Sequence, residues 1–404
     1  MSDPVPAMAE RAAACADRLL AADSVVLASH IDADGLTSGA IAATMLERAG
    51  IPFETTFEKQ LDAEAIDRIA AADHEVALFT DFGSGQLDDI VPHQQSGAFD
   101  AVVADHHQPA TAEEGEEDPD IDLHLNPLLF GIDGASELSG AGASYVLARA
   151  LEPADADNRD LAALAIVGAV GDMQAVGGEL VGTNAKIVEE GVAAGVVTEG
   201  TDLSLYGKQT RPLPKLLEYA SEVGIPGISN DQAGSIKFLD GLGLDLKENG
   251  EWRRWVDLSD DERQTVASSL VQRAVKRGVP ADKIDGLVGT TYTLTAEPEG
   301  TELRDASEFS TLLNATARYE RADVGLAVCL GDREDGLEQA RRLLQNHRRN
   351  LSEGLEWVKE QGVTREDNLQ WFDAGDAIRE TIVGIVAGMA VGVDGVDPDL
   401  PIIA

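Results

Sequence analysis

The sequence predicts an α/β fold in which a mostly parallel sheet carries helices on both faces. Three observations predict it. First, short β-rich runs alternate with helical patterns: SVVLAS from Ser24, EVALFT from Glu75 and DAVVAD from Asp100;. Second, strands separated by helices need crossover connections, which make neighbouring strands parallel and cover both sheet faces. Third, polar residues stand directly after these runs, at His30, Asp32, Asp81, Asp105 and His106. In an open parallel sheet the carboxyl ends of the strands meet in one crevice.

Taken in order, the N-terminal stretch MSDPVPAMAERAAACADRLL reads as an amphipathic helix; it has neither the basic start nor the apolar core of a secretion signal;. After the first strand a Gly-containing turn leads to a helix over Leu36 to Ala49. The acidic segment TAEEGEEDPDID, residues 111–122, lacks apolar periodicity and reads as a solvated loop;. Ser139 is placed to cap a helix containing Gly140, Gly142 and Tyr145. An Ala-rich helix from about Asp160 ends in GAVGDMQ, carrying Asp172. Beyond about Val197 the pattern turns predominantly helical, up to the TTYTLTAE run near Thr290. One long helix is expected over Gly336 to Gln361, and a β-rich or α/β portion from about Asn368. The apolar stretch between Glu380 and Asp394 is interrupted by Gly and too short to span a membrane;.

The chain has 404 residues, 44% of them hydrophobic, enough to bury a core in two or three parts;. Lys and Arg number 31 against 73 Asp and Glu, a net charge of −42. Such a field repels polyanions at low salt. At about 1 M salt the screening length falls to roughly 3 Å, so a local basic groove still holds phosphate. The scarcity of Lys and the abundance of Asp and Ala favour a cytoplasmic protein of a high-salt cell. Cys15 and Cys329 are too few for a disulfide framework and read as reduced core residues;.

His30-Ile-Asp32-Ala-Asp34-Gly35 puts an imidazole and two carboxylates on a turn after a strand. An ordinary Asp-rich turn capping the next helix is an equal alternative. A calcium loop is the poorer one, because the twelfth residue from Asp32 is Ala43 where a bidentate Glu is needed;. Asp105-His106-His107 follows a second strand, whereas His74, His93, His124 and His347 have no comparable setting. Asp81 and Asp172 complete six oxygen or nitrogen donors: His30, Asp32, Asp34, Asp81, His106 and Asp172. That set suits a pair of hard divalent cations, and the lack of thiolate counts against structural zinc.

HIDADG, an isolated Asp after the next strand, ADHH and GAVGD, in that order, resemble the DHH phosphoesterase superfamily. The resemblance implies two divalent cations, Mn²⁺ ahead of Mg²⁺. It gives one to His30 and Asp32 and the other to Asp34, His106 and Asp172, with Asp81 bridging. It also implies that His107 contacts the scissile phosphate or protonates the leaving oxygen, and that Asp105 orients a neighbouring histidine.

Leu312 to Asp332, LLNATARYERADVGLAVCLGD, is similar to the Asn-Ala-x-x-Arg stretch of RecJ-type single-strand exonucleases. EFSTLLNATAR and ETIVGIVAGM are similar to the archaeal RecJ-like branch, which includes nucleases associated with the GINS replication complex. The implied activity is metal-dependent exonucleolysis of single-stranded DNA or RNA, with GINS-type replisome proteins as partners and no membrane. The implied parts are a DHH catalytic domain (1–195), a helical connector with an Arg-rich helix (196–365) and the start of a DHHA1-like domain (366–404). The Gly-Gly-His signature of that last domain does not occur, and the domain is expected to be truncated at Ala404.

Arg318 is the expected substrate contact, with Arg341, Arg342, Arg348 and Arg349 as a helix-borne basic cluster. Ion pairs with Glu338 and Glu353 are the plain alternative for that cluster. Ser139 could bind phosphate at its helix start, or simply cap it. Two other functions use the same residues. One is a phosphodiesterase for short oligonucleotides or cyclic dinucleotides; a manganese pyrophosphatase is disfavoured by the close spacing of His30 and Asp32. The other is a replisome scaffold with weak or lost nuclease activity.

Overall fold

The computed structural model describes residues 4–112, 118–154, 156–220, 223–391, 393 and 395–404. Residues 113–117 of the expected acidic loop, and Asp394, lie outside the described residues. Contacts divide the chain into two compact units, Met1–Thr311 and Leu312–Ala404.

In the first unit, α1 (Ala9–Leu20) precedes β1 (Val25–His30), α2 (Ala33–Ala49), β2 (Phe53–Glu58), α3 (Ala63–Ala71), β3 (Val76–Thr80), α4 (Leu87–Ser96), β4 (Asp100–Ala104) and β5 (His124–Leu125). The strands form one sheet in the order β2-β1-β3-β4-β5, and each of its four pairings is parallel. The strand order reverses between β1 and β3, so the chain leaves these two neighbours in opposite directions and opens a crevice at their carboxyl ends. His30 ends β1 and Asp81 follows β3, which puts both at that point.

Alternate strand residues serve opposite faces. Val26, Ala28, Ala77, Phe79, Ala101 and Val103 face α3 and α4, packing with Leu61, Ile66, Ile69, Leu87, Ile90 and Phe99. On the other side α2 packs on β1 and β3, and α5 (Gly140–Ala150) on β3 and β4. Phe79 is fully buried, with edge-to-face contacts to Phe82 and Phe99 at 6.3 and 6.0 Å. Phe79→Ala is expected to cost about 3–5 kcal/mol of stability through the lost ring and the cavity it leaves, read as a lower urea midpoint.

Helix α2 begins earlier than the expected Leu36, because the Asp32 carboxylate accepts the Gly35 amide at 2.9 Å and caps it from Ala33. Ser139 caps α5 as expected, accepting the Gly142 amide at 3.2 Å. Helix α6 (Ala162–Gly171) ends at Asp172, followed by the hairpin β6 (Ala175–Val176) and β7 (Glu179–Leu180) and by α7 (Gly182–Ala193).

The expected helical middle is built around two seven-residue strands, β8 (Val197–Leu203) and β11 (Val288–Leu294), paired antiparallel from Val197↔Leu294 to Leu203↔Val288. Between them lie α8 (Leu213–Glu218), α9 (Gln232–Asp240), the small ribbon of β9 (Lys247–Glu248) and β10 (Glu251–Trp252), α10 (Asp260–Lys276) and α11 (Ala281–Asp285). They enclose a separate core of Leu213, Leu216, Leu217, Ile225, Leu239, Trp255, Val266 and Leu270. Trp255 donates its indole N–H to Asp202 at 3.0 Å. Helix α12 (Ala306–Ala317) closes the sequence of the first unit and opens the second.

The second unit carries α13 (Ala322–Cys329), the long α14 (Asp335–Gln361) and a three-stranded sheet of β12 (Thr364–Arg365), β13 (Gln370–Trp371) and β14 (Ile402–Ile403), with α15 (Glu380–Ala390). Val358, Phe372, Ile378, Ile382 and Val386 form its core. Both cysteines are buried and unpaired. Among the described residues no helix is long and apolar enough to cross a membrane.

Candidate metal centre

Four segments deliver the residues. His30, Asp32 and Asp34 come from the β1–α2 turn, Asp81 follows β3, Asp105, His106 and His107 follow β4, and Asp172 ends α6. Backbone geometry is unusual at one of them: Asp81 sits at φ +61°, a left-handed conformation that Asp tolerates better than most residues;. Helix α5 approaches so closely that a Cβ on Gly140 would lie 2.2 Å from Asp81 Oδ1, which is why glycine stands there;.

The donors fall into two groups that could each hold an ion: His30, Asp32 and Asp81, partly exposed, and Asp34, His106 and Asp172, largely buried. His30 Nδ1 lies 3.2 Å from Asp32 Oδ2 and 3.5 Å from Asp81 Oδ2. His106 Nε2 lies 3.3 Å from Asp81 Oδ1 and 3.7 Å from both Asp34 and Asp172. Asp81 thus turns one oxygen to each group. Asp34 accepts the Gly140 amide at 2.7 Å and the Ala141 amide at 3.0 Å, so the start of α5 faces a carboxylate of the cluster. Ser139 is fully buried behind it.

Asp105, His106 and His107 also converge with Asp81. The Asp105 oxygens, however, are occupied. Oδ2 accepts the Ser84 amide at 3.0 Å, and Oδ1 accepts the amides of His106 and His107 at 2.7 and 3.2 Å and lies 2.8 Å from His107 Nδ1. Asp105 therefore holds the loop and the His107 ring. That ring, 54% exposed, turns its other edge to a cavity of about 420 Å³ lined by His30, Lys59, Leu61, Asp81, Phe82 and Gln86.

The fit to a cation rests on two buried atoms. Among the described residues Asp81 Oδ1 and His106 Nε2 have no hydrogen-bond partner although both are sealed from solvent. His106 Nδ1 sits 2.6 Å from the Gly134 carbonyl, which fixes a proton on Nδ1 and turns Nε2 into the cluster;. Two such atoms facing each other in a buried site call for positive charge between them, a proton on Nε2 or a cation in its place.

Electrostatics agree. Burial and neighbouring carboxylates hold Asp34 and Asp172 above the usual carboxylate range. Burial would depress the imidazoles, but Asp32 and Asp81 lift His30 to about 10, and Asp81 lifts His106 to about 11. Burial would raise Asp81, and the two imidazoles overcome it and hold it low. Without a cation the excess carboxylate charge is offset by protons. A bound cation replaces them, so Mn²⁺ affinity is expected to rise with pH through the neutral range, with roughly one to two protons released per pair of ions. Calorimetry in buffers of different ionisation enthalpy reads this directly; buffer-independent heats would contradict it.

Sequence alone gives His124 no setting, and the structure corrects this. It is buried at the start of β5, with Nε2 2.8 Å from Ser84 Oγ. Asn126 donates to Ser84 Oγ and to the His107 carbonyl, both at 2.8 Å, so this group backs the histidine loop. Gln174 and Asn184 were also missed; they follow Asp172 by two and twelve residues, in no pattern that sets them apart from ordinary polar residues.

In the second unit, Arg318, Arg341 and Arg348 are exposed. Arg342 pairs with Glu338, and Arg349 lies 3.9 Å from Glu353, as the plain alternative has it. Arg379 stacks over Tyr319 at 4.8 Å, and Asn350 donates to the Tyr319 hydroxyl at 2.7 Å. Burial and the charges of Arg318 and Arg348 depress His347, which marks an electropositive neighbourhood.

The fold resembles those of RecJ and CDC45, and it brings together a cluster of Asp and His that could hold divalent metal. Residues 205–288 match the model of the DHH-CID domain. The chain is 29% identical over 366 residues to an uncharacterized protein of Methanocaldococcus jannaschii, covering 90% of this chain and 75% of that one. Among solved structures it is similar to RecJ from Thermus thermophilus in complex with Mn²⁺, with 19% identity and a TM-score of 0.56. That match covers 96% of this chain but only 45% of the Thermus protein. A manganese-bound exonuclease RecJ matches at 18% identity and 0.57, covering 97% and 79%. CDC45 from Entamoeba histolytica matches at 11% identity and 0.63, covering 95% and 81%.

Proposed function

We propose that this protein hydrolyses phosphodiester bonds at a two-cation centre, acting as a RecJ-like exonuclease on single-stranded DNA or RNA in the cytoplasm. The observation that carries this reading is Asp81, whose two oxygens face two separate donor groups. Two divalent cations, Mn²⁺ ahead of Mg²⁺, supply Lewis-acid charge at the scissile phosphate and a nucleophilic water usable at neutral pH when bound.

The protein's own residues do the rest. His30 and Asp32 would hold one ion and Asp34, His106 and Asp172 the other, with Asp81 turning one oxygen to each group. His107 keeps a proton for the leaving oxygen: its bond to Asp105 raises its pKa above the ordinary imidazole range and orients the ring toward the cavity;. Lys59 on the cavity wall offers positive charge to a phosphate, and Phe82 and Leu61 an apolar floor to a base. Residues 1–195 serve as catalytic domain, 196–365 as connector and 366–404 as a DHHA1-like portion. Arg318, Arg341 and Arg348 supply backbone contacts to a polymer.

A second reading, a scaffold for GINS-type replisome proteins with weak or lost hydrolysis, is favoured by the likeness of fold to CDC45. A complete donor set speaks against it. The deciding experiment offers 5′- and 3′-labelled single-stranded DNA and RNA with Mn²⁺ in molar KCl. Metal-dependent release of end label supports the exonuclease and gives its polarity; no release from any strand, with the protein folded, rejects it.

A further inference from the structure

We propose that Gln174 is a positioning residue that sets the cation affinity of the buried donor group Asp34, His106 and Asp172, and leaves the group of His30, Asp32 and Asp81 unaffected. This rests on the reading of the cluster as a two-cation centre.

Gln174 is almost wholly buried. Its amide nitrogen donates to the Gly134 carbonyl at 2.8 Å and to Asp172 Oδ2 at 2.9 Å, and its amide oxygen accepts from Asn184 Nδ2 at 2.7 Å. The orientation follows from the partners. A carbonyl and a carboxylate only accept, so the NH₂ end must face them and Asn184 must present its own NH₂ to the oxygen. Asn184 is fixed in turn by the first turn of α7 and by its backbone amide, which donates to the Glu137 carbonyl at 2.7 Å.

The Gly134 carbonyl is the shared element. It also receives His106 Nδ1 at 2.6 Å, so its two lone pairs serve His106 and Gln174. One small network therefore fixes the ring of His106, the rotamer of Asp172 and their separation of 3.7 Å. Among the described residues the Gln174 side chain bonds Gly134, Asp172 and Asn184, and it reaches His106 through the Gly134 carbonyl they share, which confines its influence to the buried group. Partners behind a metal ligand characteristically change affinity by about 10- to 100-fold.

The test is calorimetric titration of the full chain with Mn²⁺, beside Gln174→Met, which keeps length but removes both donor and acceptor, and Asn184→Ala, which leaves Gln174 unanchored. The expected wild type binds two ions. Gln174→Met is expected to keep one at wild-type affinity and weaken the other about 10- to 100-fold, with Asn184→Ala weakening the same site by less and both variants keeping native near-ultraviolet dichroism. A folded variant that binds both ions as the wild type does, or loses affinity equally at both, overturns the proposal and leaves the two-cation centre standing. A wild type that binds fewer than two ions overturns both. If Gln174→Met does not fold, Asn184→Ala decides alone by the same criteria.

Discussion

Asp81→Asn is expected to lower metal-dependent hydrolysis by about 10³-fold or more, the upper range seen when a single group aimed at transition-state charge is removed. The substitution isolates charge from shape. Asn tolerates the left-handed backbone at this position as readily as Asp does, so the φ of +61° adds no strain;. What changes is that one of the two oxygens facing the donor groups becomes an NH₂, directed at a His ring or a carboxylate. The remaining oxygen can serve one group but cannot join both. Initial rates on a labelled oligonucleotide, alongside far-ultraviolet dichroism, check this; near wild-type turnover in a folded variant would mean that Asp81 does not link two ions.

His107→Ala is expected to reduce kcat by about 10²- to 10⁴-fold, the usual contribution of a positioned acid, while Mn²⁺ binding stays within a few-fold of wild type. The split follows from geometry. His107 faces the cavity, and the residue tying it down, Asp105, spends its oxygens on Ser84, His106 and His107 rather than on an ion. A group acting as an acid must hold its proton, and Asp105 raises the His107 pKa. Activity should therefore persist through neutral pH and fall only above the ordinary imidazole range; a decline that begins below that range would remove His107 from this role. If manganese binding is lost with activity, His107 is a ligand instead.

How far the site was legible in the sequence varies with the kind of interaction. Strand-end side chains are legible, because the β-rich runs before His30, Asp81 and His106 place them at the carboxyl edge of a parallel sheet, where polar residues gather. Ser139 is legible as a cap for a similar local reason. Asp32 shows the limit of a choice between cap and ligand, since one of its oxygens caps α2 while the other faces His30.

What stays hidden depends on backbone atoms or distant pairing. The Gly134 carbonyl that fixes His106 has no side chain to mark it, and Gln174 gains its meaning only when α6, α7 and the Gly134 loop meet. His124 looked isolated because its partner Ser84 is 40 residues away. The β8–β11 ladder was concealed likewise, because four helices and a small ribbon separate its strands in sequence.

The most direct test of the two-cation centre is anomalous diffraction at the manganese edge from crystals grown with Mn²⁺. Two peaks roughly 3.5–4 Å apart, one beside His30 and Asp32 and one beside Asp34, His106 and Asp172, with Asp81 between them, are the predicted result. A single peak, or none within the cluster, would contradict it.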